Sequence, residues 1–228
     1  MDANANIAIV PDSSAYMMDR LAMLLAHFPS LIELRIHIVP TTTRRGIAML
    51  PQLVSGKALL PLDTLSNLRI LEMRSVPIHL TPEIVTALAL GWRSLEELHI
   101  GGMCCGPRGL HFPTTLYLED LYPLAQHCPA LRSLAVPLAG VGPLAMARAV
   151  DAETKAHTCL QELDLLFGAG RMPNAKERMR LSAFVLAVFP NTIEHMQVGD
   201  IDVEKELRKF RLLEIAIAES IGFRDHIL

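Results

Sequence analysis

Aromatic residues are scarce in this 228-residue chain: Phe, Tyr and Trp together make 5 % of it, with a single Trp. Hydrophobic residues nevertheless reach 51 %, so the apolar surplus is aliphatic. Chains of that kind suit stacked units, in which a small apolar side chain recurs in each layer. A basic excess is also lacking. Lys plus Arg is 21 against 24 for Asp plus Glu, a net charge of −3, and nothing draws in a phosphate backbone; nucleic acid is not an expected partner. Cysteines number four: Cys104, Cys105, Cys128 and Cys159. No apolar run is long enough for a membrane span, and no membrane partner is expected. The opening Met1-Asp2-Ala3-Asn4 lacks the basic and apolar regions of a signal peptide. A reducing compartment, cytoplasmic or nuclear, is the expected home.

What is present is internal similarity. A pattern of aliphatic, two others, aliphatic, one other, aliphatic occurs at Leu31-Leu34-Ile36, Leu68-Leu71-Met73, Leu95-Leu98-Ile100, Leu131-Leu134-Val136, Leu160-Leu163-Leu165 and Ile193-Met196-Val198. First positions are separated by 37, 27, 36, 29 and 33 residues. A helical stretch ending in a break precedes several copies: His27-Phe28-Pro29-Ser30 before Leu31, His127-Cys128-Pro129-Ala130 before Leu131, and Phe189-Pro190-Asn191-Thr192 before Ile193. Proline biases the residue before it out of the helical region and so ends the helix. In a short strand the last two aliphatic residues of each copy share a face. A strand–helix–strand step of this length gives parallel strands through a right-handed crossover.

The expected architecture is α/β: a right-handed leucine-rich-repeat solenoid, with a curved parallel sheet and outer helices, over residues 1–200. Residues 201–228 are expected to form a helical cap or tail, with Asp202 as its start. Thr81-Pro82-Glu83 predicts a helix start, followed by Ile84, Leu88 and Trp92 on one face. Met17, Leu21, Leu24 and Phe28 predict another buried face. Gly142-Pro143 predicts a third helix, Arg180 to Phe189 a short apolar one, and Pro123 a short or kinked one. A further strand at the start would place Ile7 and Ile9 in the roles of Leu34 and Ile36.

The stretch Leu124-Ala125-Gln126-His127-Cys128-Pro129-Ala130-Leu131-Arg132-Ser133-Leu134-Ala135-Val136 resembles the cysteine-containing leucine-rich repeats of F-box proteins, and Leu25 to Ile36 resembles them too. The likeness covers about residues 7 to 200 and is similar to the irregular repeats of fungal F-box proteins. It implies a protein-interaction module that recognises substrates for a ubiquitin ligase, with no enzymatic activity and no cofactor of its own. The family's F-box docks the adaptor Skp1. No such module stands ahead of Tyr16, so Skp1 is expected as a partner only if an F-box lies upstream. The alternative is a repeat regulator or inhibitor with no ligase link. The Asn or Cys that commonly follows the motif by three residues is replaced by Val39, Val76, Met103, Ala139, Gly168 and Ile201. Corners are therefore expected to be held by apolar packing rather than by an asparagine ladder.

Residues between the aliphatic positions face away from the helices and form three columns: Glu33, Ile70, Glu97, Ser133, Glu162, His195; Arg35, Glu72, His99, Ala135, Asp164, Gln197; and His37, Arg74, Gly101, Pro137, Leu166, Gly199. The partner-binding candidates on this concave face are Glu33, Arg35, His37, Glu72, Arg74, Glu97, His99, Glu162, Asp164, His195 and Gln197.

Catalytic and metal patterns are weak. Glu162 and Asp164 stand about 7 Å apart along a strand, and Glu97 with His99 lie about 10 Å away, too far to share a metal. Adjacent Cys104-Cys105, with His111 beyond, do not match zinc spacing, and Cys128 and Cys159 are expected in the core. Gly168-Ala169-Gly170 lacks the Lys-Ser/Thr of a phosphate loop. Arg44-Arg45 is a basic turn. His27 and His127 sit at helix ends, where a cation suits the dipole. No metal and no catalytic residue is expected.

Overall fold

A computed structural model describes residues 3–9, 14–38, 53–74, 76–101, 114–145, 147, 156–167, 174–198 and 201–202. Its main sheet contains β1 (Ala3–Ile9), β2 (Leu31–Ile38), β4 (Ile70–Arg74), β6 (Glu97–Ile100), β7 (Ser133–Leu138), β8 (Glu162–Phe167), β9 (Met196–Val198) and β10 (Ile201–Asp202), side by side in that order. Every neighbouring pair is parallel except the last, where β10 runs antiparallel to β9. The short β3 (Val54–Ser55) and β5 (Ile78–His79) pair in parallel as a second sheet. The protein is thus α/β, with a mostly parallel sheet.

The six motif copies explain this order. In the first five, all three aliphatic residues are buried, and none is more than 3 % exposed. They join helix residues such as Met18, Leu88, Leu124 and Phe184 in one core. The first four motifs are entered by the same turn. The amides of Leu31, Leu68, Leu95 and Leu131 donate to the carbonyls of Phe28, Leu65, Trp92 and Cys128 at 2.9–3.1 Å. Main-chain bonds then stitch one unit to the next. The Arg69 carbonyl accepts from both Glu96 N and Glu97 N, that of Glu96 from Arg132 N and Ser133 N, and that of Arg132 from Gln161 N and Glu162 N, at 2.7–3.1 Å. Two asparagines help: Asn67 Nδ2 donates to the Pro29 carbonyl at 3.0 Å and Asn191 Nδ2 to that of Thr158 at 2.6 Å. Asparagine therefore does bridge units, before the strand rather than after it.

The sixth copy departs from the expectation. Thr192 is buried and its amide bonds the Phe189 carbonyl at 3.2 Å, so it occupies the place of Leu31. One extra residue then precedes Met196, and the segment Pro190–His195 winds as a 3-10 helix. At the other edge, Ala5 and Ile7, not Ile7 and Ile9, lie opposite Leu34 and Ile36. The added first strand exists, two residues out of the predicted register.

The helix layer begins with α1 (Ser14–Leu25). Its buried row is Met18, Ala22 and Leu25, whereas Leu24 and Phe28 are 60 % and 50 % exposed, a correction to the predicted face. The helix packs against the 3-10 helix Gly56–Thr64 and turns its inward row there. That 3-10 helix, which contains Pro61, fills the layer between β2 and β4, with Leu59, Leu62 and Leu65 fully buried. Proline has no amide to continue an α-helical ladder. α2 (Pro82–Gly91) starts as predicted, with Thr81 extended and Pro82 in the first turn. Ile84, Leu88 and Trp92 are buried. A Cβ at Gly91 would strike the Asp63 carbonyl, so only glycine lets α2 end this close to the 3-10 helix.

α3 (Tyr122–His127) is short, as Pro123 requires, and follows a 3-10 turn at Leu118–Leu121. The nearly buried Glu119 carboxylate caps the segment opened by Gly142-Pro143, accepting from Gly142 N at 2.9 Å and Leu144 N at 3.1 Å. Only Ala145 and Ala147 of that helix are described. α4 (Ala175–Val188) starts earlier than predicted. Asn174 and Glu177 form a reciprocal capping box, and Leu181, Phe184, Val185 and Val188 face the core.

At the C-terminal side, residues 201–202 are strand rather than the start of a helical cap. The rest of the predicted 201–228 tail lies outside the described residues. So do Cys104, Cys105, His111, Arg44, Arg45, the 168–170 glycine pair and Gly199. Cys159 is exposed, contrary to expectation; Cys128 is buried. No helix among the described residues is long and apolar enough to cross a membrane.

Candidate functional site

Strand alternation leaves one face of the sheet to the residues between the aliphatic ones. Two predicted columns hold in register across the middle strands. Glu33 lies opposite Ile70, Ile70 opposite Glu97, Glu97 opposite Ser133, and Ser133 opposite Glu162. Likewise Arg35 meets Glu72, Glu72 meets His99, His99 meets Ala135, Ala135 meets Asp164, and Asp164 meets Gln197. In the third column His37 meets Arg74, and Pro137 meets Leu166. Gly101, at φ 82°, stands near the Pro137 ring, a left-handed backbone that favours glycine. His195 is the exception. It ends the 3-10 helix instead of standing in β9, because of the extra residue in the sixth copy. For Arg74, His195 and Gln197 only the backbone is described.

The side chains form two clusters. In the first, Arg35 reaches Glu72 at 3.1 Å on the neighbouring strand and Glu33 at 3.7 Å on its own. The Glu72 side chain is only 9 % exposed, so the guanidinium shields a carboxylate largely withdrawn from water.

In the second cluster Ser133 joins strands that the sequence left separate. Its hydroxyl donates to Glu162 Oε2 at 2.9 Å, and His99 Nε2 lies 2.8 Å from Ser133 Oγ. With the serine proton directed to Glu162, His99 Nε2–H is the donor to Ser133. Asp164 stands beside it. Burial pushes the Asp164 carboxyl above its ordinary range, and the nearby His99 pulls it partly back. Ser133 was present in the column but not among the expected site residues. Its place between Glu97 and Glu162 was the available signal.

The order of this chain differs from that of a nucleophilic serine. A serine nucleophile needs its hydroxyl to donate to a basic imidazole, with an acid behind the ring. Here serine sits in the middle and gives its proton to the carboxylate. The described residues contain no group of three or more His, Cys, Asp or Glu side chains placed to hold a metal ion. A cavity in the core is lined by aliphatic side chains, among them Leu88, Ile100 and Leu124, together with Trp92. The Trp92 indole is already bonded to the Leu62 carbonyl at 2.8 Å.

What the face offers is charge. Arg35 is engaged by Glu33 and Glu72. Glu97, Glu162 and Asp164 share the next three strands with His99, which acts electrostatically on Asp164. No protein-family model matches the chain, and no curated protein is significantly similar to it.

Proposed function

We propose that the chain is a right-handed leucine-rich-repeat solenoid whose polar sheet face docks a protein partner. It acts by binding, not by catalysis, in the manner of the substrate-recognition arc of F-box proteins, and works in the cytoplasm or nucleus. The observation that carries this reading is the in-register alignment of Glu33, Ile70, Glu97, Ser133 and Glu162 with Arg35, Glu72, His99, Ala135 and Asp164 across five neighbouring strands. At about 4.8 Å per strand this gives a patch roughly 20 Å wide, a fair part of a standard interface. The charge of its second cluster favours a partner surface that is basic.

The test is affinity capture with cross-linking through the face, comparing the native chain with a Glu97→Arg, Glu162→Arg, Asp164→Arg variant. The expected result is a protein cross-linked at the polar face whose capture drops at least about tenfold in the variant, the scale of one lost hydrogen-bonded charge contact. Equal capture by both chains sinks the reading. Binding of Skp1 by the full gene product separates a ligase receptor from a repeat regulator using the same face.

A further inference from the structure

The two edges of the main sheet are unlike. At one, β10 reverses direction against β9. At the other, β1 pairs with β2 and with no further strand among the described residues, so within them its second row of amides and carbonyls is open. Natural proteins block such an edge with lysine, proline, bulges or a covering loop. β1 reads Ala-Asn-Ala-Asn-Ile-Ala-Ile and carries no charge and no proline; its pairing with β2 is irregular at Ala3/Asn4 and regular from Asn4 to Ile9.

The helix layer at that edge is also exposed. The position three residues before the motif is held by Phe28, Leu65, Trp92, Cys128 and His157 in successive units. From Leu65 onward it is buried, with no residue more than 5 % exposed. Three of these residues show what buries them, because they bond the unit before. Trp92 Nε1 donates to the Leu62 carbonyl, Cys128 Sγ lies 3.7 Å from that of Ala89, and His157 Nε2 is 2.8 Å from that of Cys128. Phe28 holds the same place and is 50 % exposed, with Leu24 at 60 % and Met23 at 62 % beside it. Ala3, Ala5 and Ile7, which in later strands would be fully buried, are only partly so. Among the described residues, strand edge and helix flank thus form one uncovered joint.

We propose that a second copy of this chain fills it. The copies meet through a twofold axis normal to the sheet, β1 antiparallel to its counterpart and α1 beside its counterpart. Such an axis keeps both helix layers on the same side, so paired strands and paired helices close in one contact. An isologous contact brings each surface against itself, and an uncharged strand with neutral Asn and Ala is compatible with that. Seven residues of strand give about 23 Å of edge, and strand plus helix layers give about 20 Å of depth, so the two copies bury on the order of 1,000 Å². That is the small end of specific interfaces and implies a dimer that dissociates in the micromolar range. The polar face stays open in this arrangement.

Sedimentation velocity between about 1 and 100 µM tests it, a range that brackets micromolar affinity. The native chain is expected to pass from its monomer mass of 25.1 kDa to twice that value as concentration rises. Asn4→Lys with Asn6→Lys places like charges on the strand edge, and Leu24→Glu with Phe28→Glu acts on the helix flank. All four residues are exposed, so each double variant keeps the native circular dichroism and melting curve. Each is expected to remain monomeric, whereas Met179→Glu, an exposed apolar residue on α4, dimerises as before. A native chain that is monomeric throughout overturns the proposal. So does dimerisation unchanged in both double variants, or its loss in Met179→Glu.

Discussion

His157 holds two units together through both nitrogens of one ring: Nε2 lies 2.8 Å from the Cys128 carbonyl, while Nδ1 accepts from Leu160 N at 3.2 Å. That pairing sets the proton on Nε2. The ring is 5 % exposed and meets Phe189 edge-on at 6.1 Å. Replacing it leaves the buried Leu160 amide without its acceptor and takes one of two donors from the Cys128 carbonyl, which keeps Leu131 N. His157→Ala is expected to lower unfolding free energy by about 2–4 kcal/mol. Urea denaturation measures this, and a loss below about 0.5 kcal/mol, the scale of an ordinary surface substitution, contradicts the role.

Gly91 marks the tightest approach of α2 to the 3-10 helix before it. An added methyl meets the backbone at Asp63 rather than a movable side chain. Gly91→Ala is therefore expected to destabilise by about 1–3 kcal/mol, despite alanine's better helix propensity. A thermal melt that rises or stays unchanged shows that the two helices can separate at no cost.

Asp164 links the polar face to pH. Its folded carboxyl titrates above the ordinary aspartate range because burial disfavours the charge. Between the ordinary value and the raised one, the folded state holds more protons than the unfolded state. The stabilising contribution is thus complete below the ordinary range and is lost as pH rises through the raised value. Asp164→Asn removes this penalty. The variant is expected to melt higher than the native chain at pH 7, with the gap closing as pH falls below about 4, the ordinary aspartate value. A gap that is constant with pH disproves the assignment.

The cysteines offer a direct check of burial. Cys128 is buried, with its thiol pushed up to about 12, whereas Cys159 is exposed. Alkylation of the native protein at neutral pH is expected to label Cys159 and spare Cys128 until denaturant is added. Mass spectrometry of the peptides reads the result; rapid native labelling of Cys128 would mean that its joint opens.

Much of the strand layer was legible because its signal is local and repeated. Leu34-Ile36 through Leu163-Leu165 announced both the strands and their register, and hence the columns on the polar face. Errors arose where a unit lacks a neighbour or changes length. Leu24 and Phe28 read as buried because their periodicity is helical, yet periodicity cannot say whether a helix is covered on one flank or two. His195 slipped from its column because Thr192, a polar residue, took an aliphatic position. The Ser133 hydrogen bonds depend on distances across three strands, which spacing along the chain does not encode.

Beside their side-chain bonds, three joints between units share a purely main-chain clasp: one carbonyl of Arg69, Glu96 or Arg132 receives two consecutive amides from the following unit. Side-chain identity at those positions is then free to drift, since the contact needs only a peptide group. Length can vary as well: the motif copies stand 27 to 37 residues apart, yet the carbonyl clasp recurs. Such a clasp makes units interchangeable. Any segment that offers two consecutive amides at the right height can take that place.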